Sequence, residues 1–240
     1  MAETMKSKPV EFKKMKSGIS GLDELLDGGI PEGNLVVLSG DPGSGKTVFC
    51  WQFLYEGVTK YNENGVYISL EESVDAILEG AMEFGWDFQK LIDSGKMKIV
   101  VVELYDFDRL KNLIEDTIRS INAKRVVIDP GVIFRLFFER ELDARKRIVS
   151  LGKMLKEIDC TTIITNEIAL DKTTSLYGLE EYVADGVILL YHTRHDNRFI
   201  RSIGILKMRN TKISEKLKPI RITTDGVEIL IKSELFSSEE

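Results

Sequence analysis

The sequence predicts an α/β fold: a mainly parallel central sheet flanked by helices, with C-terminal antiparallel β-hairpins extending the sheet. Three observations predict it. Short apolar runs at residues 35–39, 65–70, 97–102, 125–128 and 161–165 alternate with segments of helical periodicity, the pattern of buried parallel strands whose connecting helices cover both faces. A glycine-rich stretch at 40–47 lies between the first run and a helical pattern. From about residue 182 the runs become closely spaced, at 186–193, 199–208, 220–223 and 227–231, with turn residues such as His195-Asp196-Asn197 and Asp225-Gly226 between them, which reads as hairpins.

Taken in order, residues 1–16 form a basic, solvated N-terminal segment carrying Lys6, Lys8, Lys13, Lys14 and Lys16. Strands and helices then alternate. One helix is marked by Phe107, Leu110, Leu113, Ile114, Ile118 and Ile121, another by Ile148, Leu151, Met154, Leu155 and Ile158; spacings of three and four give each one buried face. Residues 233–240 close as an acidic tail. Neither a linker rich in Pro, Gly or Ser nor an internal repeat interrupts the chain, so one domain spanning 1–240 is expected.

Lys and Arg number 33 against 39 Asp and Glu, a formal charge of −6, with 43% hydrophobic and 30% charged residues. That composition is globular, and its field does not draw in nucleic acid, so no nucleic-acid partner is expected. Apolar runs stay well short of the roughly 20 residues needed to cross a bilayer, so no membrane partner is expected either. Cys50 and Cys160 are far apart and form no Cys-x-x-Cys pair; reduced thiols in a cytoplasmic protein are expected.

Residues 40–47 read Gly40, Asp41, Pro42, Gly43, Ser44, Gly45, Lys46, Thr47, a Gly-x-x-x-x-Gly-Lys-Thr phosphate loop in the required strand–loop–helix context. The glycines let successive amides point inward at an anion, and the following helix adds the positive end of its dipole. A nucleoside triphosphate is the natural occupant. Lys46 reaches its β- and γ-phosphates, and the Thr47 hydroxyl is placed to ligate the bridging Mg²⁺.

The run 125–128 ends in Asp129, a position suited to a carboxylate holding Mg²⁺ through water. Pro130 keeps Asp129 extended and donates no hydrogen bond. Glu71 and Glu72 follow the second strand, and one of them is placed to orient or deprotonate a water attacking the γ-phosphate. They read equally well as the acidic first turn of a helix capped by Ser73. His192 and His195, with Asp196, read as a polar hairpin turn before a metal site.

Beyond the loop, the segment 17–31 (SGISGLDELLDGGIP), the paired Glu71 and Glu72, FGWD at 84–87, VVID at 126–129, GLEEYVADGVILL at 178–190 and KMRNT at 207–211 together resemble the KaiC branch of the RecA superfamily of ATPases. The resemblance covers nearly the whole chain. It implies a RecA-like P-loop NTPase fold, ATP or ADP held by residues 43–48 including Val48, Mg²⁺ on Thr47, Glu71 as the base and Glu72 as a supporting carboxylate. It also implies a homo-oligomeric ring, with a hexamer as the expected size, in which Lys207 and Arg209 reach the γ-phosphate of the neighbouring subunit's ATP. Met208 and Thr211 on that stretch, Phe84 beside the adenine and Asp225 in a nearby turn are the further nucleotide contacts it implies. Asn166, after the run 161–165, reads either as a γ-phosphate sensor or simply as the residue that ends the strand. The spacing of two between Lys207 and Arg209 places both on one face of a strand.

Two departures matter. The single ATPase domain does not carry over the timekeeping of the tandem clock protein, and Pro130 and Asn210 replace residues frequent in the family. Three functions follow: a ring ATPase with a regulatory or signalling role and an unidentified protein partner, an ATP-gated scaffold with little turnover, and a recombinase-like filament on single-stranded DNA. For the last, the loop 168–180 offers only Lys172 and Tyr177, poor material for tracking a backbone and stacking bases.

Overall fold

The computed structural model describes residues 12–102, 106–131, 140–167 and 183–235. The N-terminal segment forms β1 (Lys14–Met15), α1 (Leu22–Leu25) and β2 (Ile30–Pro31). Next come β3 (Leu35–Gly40), α2 (Lys46–Tyr61), β4 (Gly65–Ser69), α3 (Val74–Met82), α4 (Phe88–Asp93), β5 (Met97–Val101), α5 (Phe107–Ile121), β6 (Arg125–Asp129), α6 (Glu141–Glu157) and β7 (Thr161–Glu167). The chain closes with β8 (Gly186–His195), β9 (Arg198–Met208), β10 (Lys218–Thr223) and β11 (Gly226–Ile229).

Among the described residues, the central sheet has nine strands in the order β11-β10-β9-β8-β3-β7-β6-β4-β5. Pairings from β8 through β3 to β5 are parallel. Those from β8 to β11 are antiparallel, so the C-terminal hairpins extend the sheet edge. β7 runs further than the apolar pattern predicts: Asn166 and Glu167 pair with Ser39 and Gly40 of β3. Asn166 therefore does not end the strand, because the ladder satisfies its backbone whatever its side chain.

Alternate residues of one strand face opposite layers, as a period of two requires. Val36 and Leu38 join Phe49, Phe53, Tyr67 and Trp86 under α2, α3 and the N-terminal segment. Leu35 and Val37 join Ile114, Ile118, Leu151 and Leu155 under α5 and α6. Among the described residues, no helix is long and apolar enough to cross a membrane.

Arg125, fully buried at the start of β6, anchors the N-terminal segment to the sheet. Its guanidinium donates to Lys16 O at 2.6 Å, Ser17 O at 3.2 Å, Phe53 O at 2.8 Å and Glu63 Oε2 at 2.7 Å. Gly57 makes room for it: a Cβ there would lie 2.3 Å from the Arg125 side chain.

Candidate functional site

β3 delivers the chain at Gly40 and α2 takes it up at Lys46. Between them Gly43 has φ 72 and Gly45 φ 102, left-handed values that cost other residues strain. A Cβ on Gly40 would lie 2.8 Å from Leu190 O, so only glycine lets the loop lie this close to β8. Ser44 N donates to Asp41 O at 3.1 Å and closes the turn. The first turn of α2 holds no acidic side chain, leaving the positive end of its dipole open to an anion. Lys46 Nζ arches over the loop to Gly40 O at 2.8 Å and Asp41 O at 3.2 Å. Thr47 follows in the first turn, and Val48 packs partly buried on the core.

Asp129 sits at the end of β6, opposite Ser69. Its Oδ2 accepts from the Tyr67 hydroxyl at 2.6 Å, and its Oδ1 accepts from the Thr165 hydroxyl. Burial, and then the charge of Asp129, push the Tyr67 hydroxyl well up, so it stays a donor. Burial and Asp129 likewise keep Cys50 a thiol. Two donors from neighbouring strands fix the carboxylate and leave it lone pairs. This carboxylate and the Thr47 hydroxyl are both oxygen donors, the kind that suits Mg²⁺. The Asp129–Pro130 peptide is cis.

Glu71 and Glu72 are exposed in the bend after β4. Ser73 caps α3 by accepting from Ala76 N, and Asp75 is the acidic residue of its first turn. The glutamates thus precede the helix, contrary to their alternative reading as its first turn. Ser69 Oγ donates to Glu72 O at 2.7 Å, fixing the bend. Burial raises the Glu72 carboxyl from its ordinary value, and the charges of Asp129 and then Glu71 add to it. Glu72 therefore shares the electrostatic field of Asp129.

Phe84 and Asp225 line one cavity of about 810 Å³, with Trp86, Gln52, Gly226 and the 18–24 segment around them. Phe84 stacks on Trp86 with centroids 4.9 Å apart, and Gln52 Oε1 accepts from Val227 N at 2.7 Å, tying β11 to α2. Residues 40–48 do not line this cavity.

Lys207 and Arg209 lie at the other end of the sheet. Arg209 N donates to Asp185 O at 2.9 Å, and Asp185 N donates to Leu35 O at 2.8 Å at the start of β3. Gly40 is five residues further along β3, about 16 Å at the rise of a strand. β9 ends at Met208, so Arg209 opens the following turn instead of sharing a strand face with Lys207; Asn210 at φ 63 turns the chain there. Lys207 Nζ donates to Ala184 O at 2.8 Å and Arg209 Nη1 to Asp185 Oδ1 at 3.1 Å. Arg209, Lys156, Lys153, Arg145 and Asp185 line a second cavity of about 340 Å³.

Two expected nucleotide contacts are engaged elsewhere. The Met208 side chain is buried in the core, 6% exposed, with its Sδ 3.6 Å from Asn34 Nδ2, so only its backbone is available to a ligand. The Thr211 hydroxyl donates to Leu26 O at 2.9 Å, fastening the segment 17–31. Asn166 is buried beside Ser39, its Oδ1 accepting from Glu167 N.

The sequence reading missed His192 and Arg201. His192 lies in β8 and contacts the phosphate loop: its N donates to Asp41 Oδ2 at 2.9 Å and its Nδ1 is 3.3 Å from Pro42 O. Arg201 Nε donates to Gly43 O at 2.9 Å. His195 pairs with Asp196 at the hairpin turn. The signal that could have found the first two is the β8–β9 register, which sets them opposite each other. Lys6, Lys8, residues 178–182 of the GLEEYVADGVILL segment, the loop 168–180 with Lys172 and Tyr177, and residues 236–240 of the tail lie outside the described residues.

A family model described as "ATPase: KaiC" matches residues 15–234. A UPF0273 protein of Methanocaldococcus jannaschii is 36% identical over 233 residues, covering 90% of this chain and 96% of its own length. The circadian clock oscillator protein KaiC of Acaryochloris marina is 34% identical over 232 residues, covering 92% of this chain but 44% of its own length. This chain therefore spans less than half of that clock protein. The crystal structure of a KaiC-like protein from Pyrococcus horikoshii superposes with a TM-score of 0.81 at 39% identity, covering 91% of this chain and 99% of the other.

Proposed function

The chain belongs to the KaiC family of ATPases in the RecA superfamily, and we propose that it is a Mg²⁺-dependent ATP hydrolase whose active sites are completed by neighbouring copies in a ring. The observation that carries this reading is the separation of its two sets of cations. Lys46 lies on the phosphate loop, whereas Arg209 lies beside Leu35 at the opposite end of β3. About 16 Å of strand exceeds the reach of an arginine side chain, so a phosphate that Arg209 touches belongs to another copy. A head-to-tail contact of that kind closes into a ring when its rotation allows.

Within this reading the loop amides and Lys46 bind the phosphates, and the Thr47 hydroxyl and Asp129, held by Tyr67 and Thr165, hold the metal. Mg²⁺, when bound, neutralises the charge that develops on the phosphate oxygens. Glu71 takes the proton of the attacking water, with Glu72 as its supporting carboxylate. Phe84 and Asp225 frame the base at the 810 Å³ cavity, and Arg209 and Lys207 stabilise the transferring phosphoryl group in trans. A ring that hydrolyses ATP suits a regulatory or signalling role toward a protein partner, in the cytoplasm.

A second reading, an ATP-gated scaffold that hardly turns over, is favoured by one observation: Lys207 and Arg209 already have partners within their own chain. Steady-state phosphate release separates the two. The ATPase reading expects Glu71→Gln to lower turnover by about 10²-fold or more, whereas slow hydrolysis unaffected by that change supports the scaffold.

A further inference from the structure

A phosphate loop turns its amides inward only if its carbonyls turn outward, and outward carbonyls need donors. Here a neighbouring hairpin supplies them. Asp41, Pro42 and Gly43 are each engaged from β8 or β9: the Asp41 carboxylate accepts from His192 N, Pro42 O faces His192 Nδ1, and Gly43 O accepts from Arg201 Nε. His192 and Arg201 are directly opposed in the ladder, so their side chains share one face of the hairpin. Phe199, two residues before Arg201 and therefore on that face, lays its ring 4.9 Å from the imidazole and limits its rotation. The approach is close: a Cβ on Gly43 would lie 3.2 Å from His192 Nδ1. Because a carbonyl only accepts, the contact to Pro42 requires the imidazole proton on Nδ1.

We propose that His192 and Arg201 are positioning residues of the phosphate site, a brace that holds the Pro42 and Gly43 carbonyls outward and so keeps the loop amides turned toward the phosphates. The inference rests on the nucleotide reading above and extends it to two side chains outside the loop motif. A braced loop is preorganised, and binding does not have to order it. Without the brace the Pro42 and Gly43 carbonyls are free to rotate toward the phosphates they would repel. Arg201 also adds a second cation, after Lys46, at the loop.

Calorimetry with MgADP and with inorganic pyrophosphate tests the brace, because pyrophosphate reads the cradle without the base. His192→Ala and Arg201→Ala are each expected to weaken both probes by about tenfold, at unchanged melting temperature. His192→Asn, whose amide N–H falls near the place of Nδ1, is expected to stay within about threefold of the wild type. Arg201→Gln, whose amide reaches Gly43 O, is expected to do the same and covers the case of an alanine variant that does not fold. Wild-type affinity in both alanine variants, a loss confined to MgADP, or an asparagine variant no better than alanine overturns the brace. Wild-type protein that takes up neither probe overturns the nucleotide reading itself.

Discussion

Arg209 Nη1 donates to Asp185 Oδ1 at 3.1 Å, and the other oxygen of that carboxylate accepts from Leu35 N at 3.2 Å. One nearly buried acid thus holds the cation at the start of β3 and, through Lys156 at 3.5 Å, the end of α6. The Arg209 side chain is itself 58% exposed, so its loss removes little folding energy. Arg209→Ala is expected to lower turnover by about 10³-fold at protein concentrations where the wild type is assembled, with a melting temperature near that of the wild type. Phosphate release and thermal melting, run on the same preparations, check both halves.

Glu72 carries a pH signature. Its folded-state value lies above the unfolded one, raised by burial and then by Asp129 and Glu71, so folding favours its protonated form. That contribution is full below the unfolded carboxylate value of about 4.3 and is lost as pH rises through the folded value. Glu72→Gln is therefore expected to melt like the wild type near pH ~4 and slightly higher near pH ~7.5, the gain being small because the group is exposed. Melting curves at the two pH values decide it; a gain at acid pH alone contradicts the assignment.

Tyr67 donates to Asp129 from the adjacent strand. Tyr67→Phe keeps the ring packed and removes only the hydroxyl that orients the carboxylate. It is expected to raise the Mg²⁺ concentration for half-maximal turnover by about tenfold, leaving nucleotide affinity in excess Mg²⁺ close to that of the wild type. A Mg²⁺ titration of phosphate release measures it.

Arg125 predicts a stability effect without a site. Its removal as Arg125→Ala strands Glu63 and takes a donor from each of the carbonyls of Lys16, Ser17 and Phe53, at a cost of about 3–5 kcal/mol. Urea unfolding at neutral pH checks it. Gly57→Ala is expected to destabilise through the same side chain, since its Cβ would overlap the guanidinium.

The parts of this molecule legible in its sequence are those whose physics is local. Residues 40–47 announce their geometry because left-handed backbone at Gly43 and Gly45 needs glycine. The helix over residues 107–121 is legible for a similar reason, its apolar spacing being that of a buried face. Asp129 was placed at the end of its strand, but not its partners, because Tyr67 and Thr165 come from β4 and β7 and only the strand order brings them together. His192 hid behind the turn residues that follow it: its function is set by Pro42 across 150 residues, and no local signal carries that. Met208 misled for the opposite reason. The motif around it points to a ligand, while the strand's alternation sends its side chain into the core.

The claim that active sites are shared between copies is tested most directly by mixing two inactive variants, Lys46→Ala, which lacks its own phosphate grip, and Arg209→Ala, which lacks the cation offered to its neighbour. In a mixed assembly some contacts pair an intact loop from one variant with an intact Arg209 from the other. The account predicts that phosphate release recovers to a substantial fraction of the wild-type rate on mixing, although each variant alone is nearly inactive. Mixed assemblies confirmed by light scattering that remain as inactive as their components would contradict it.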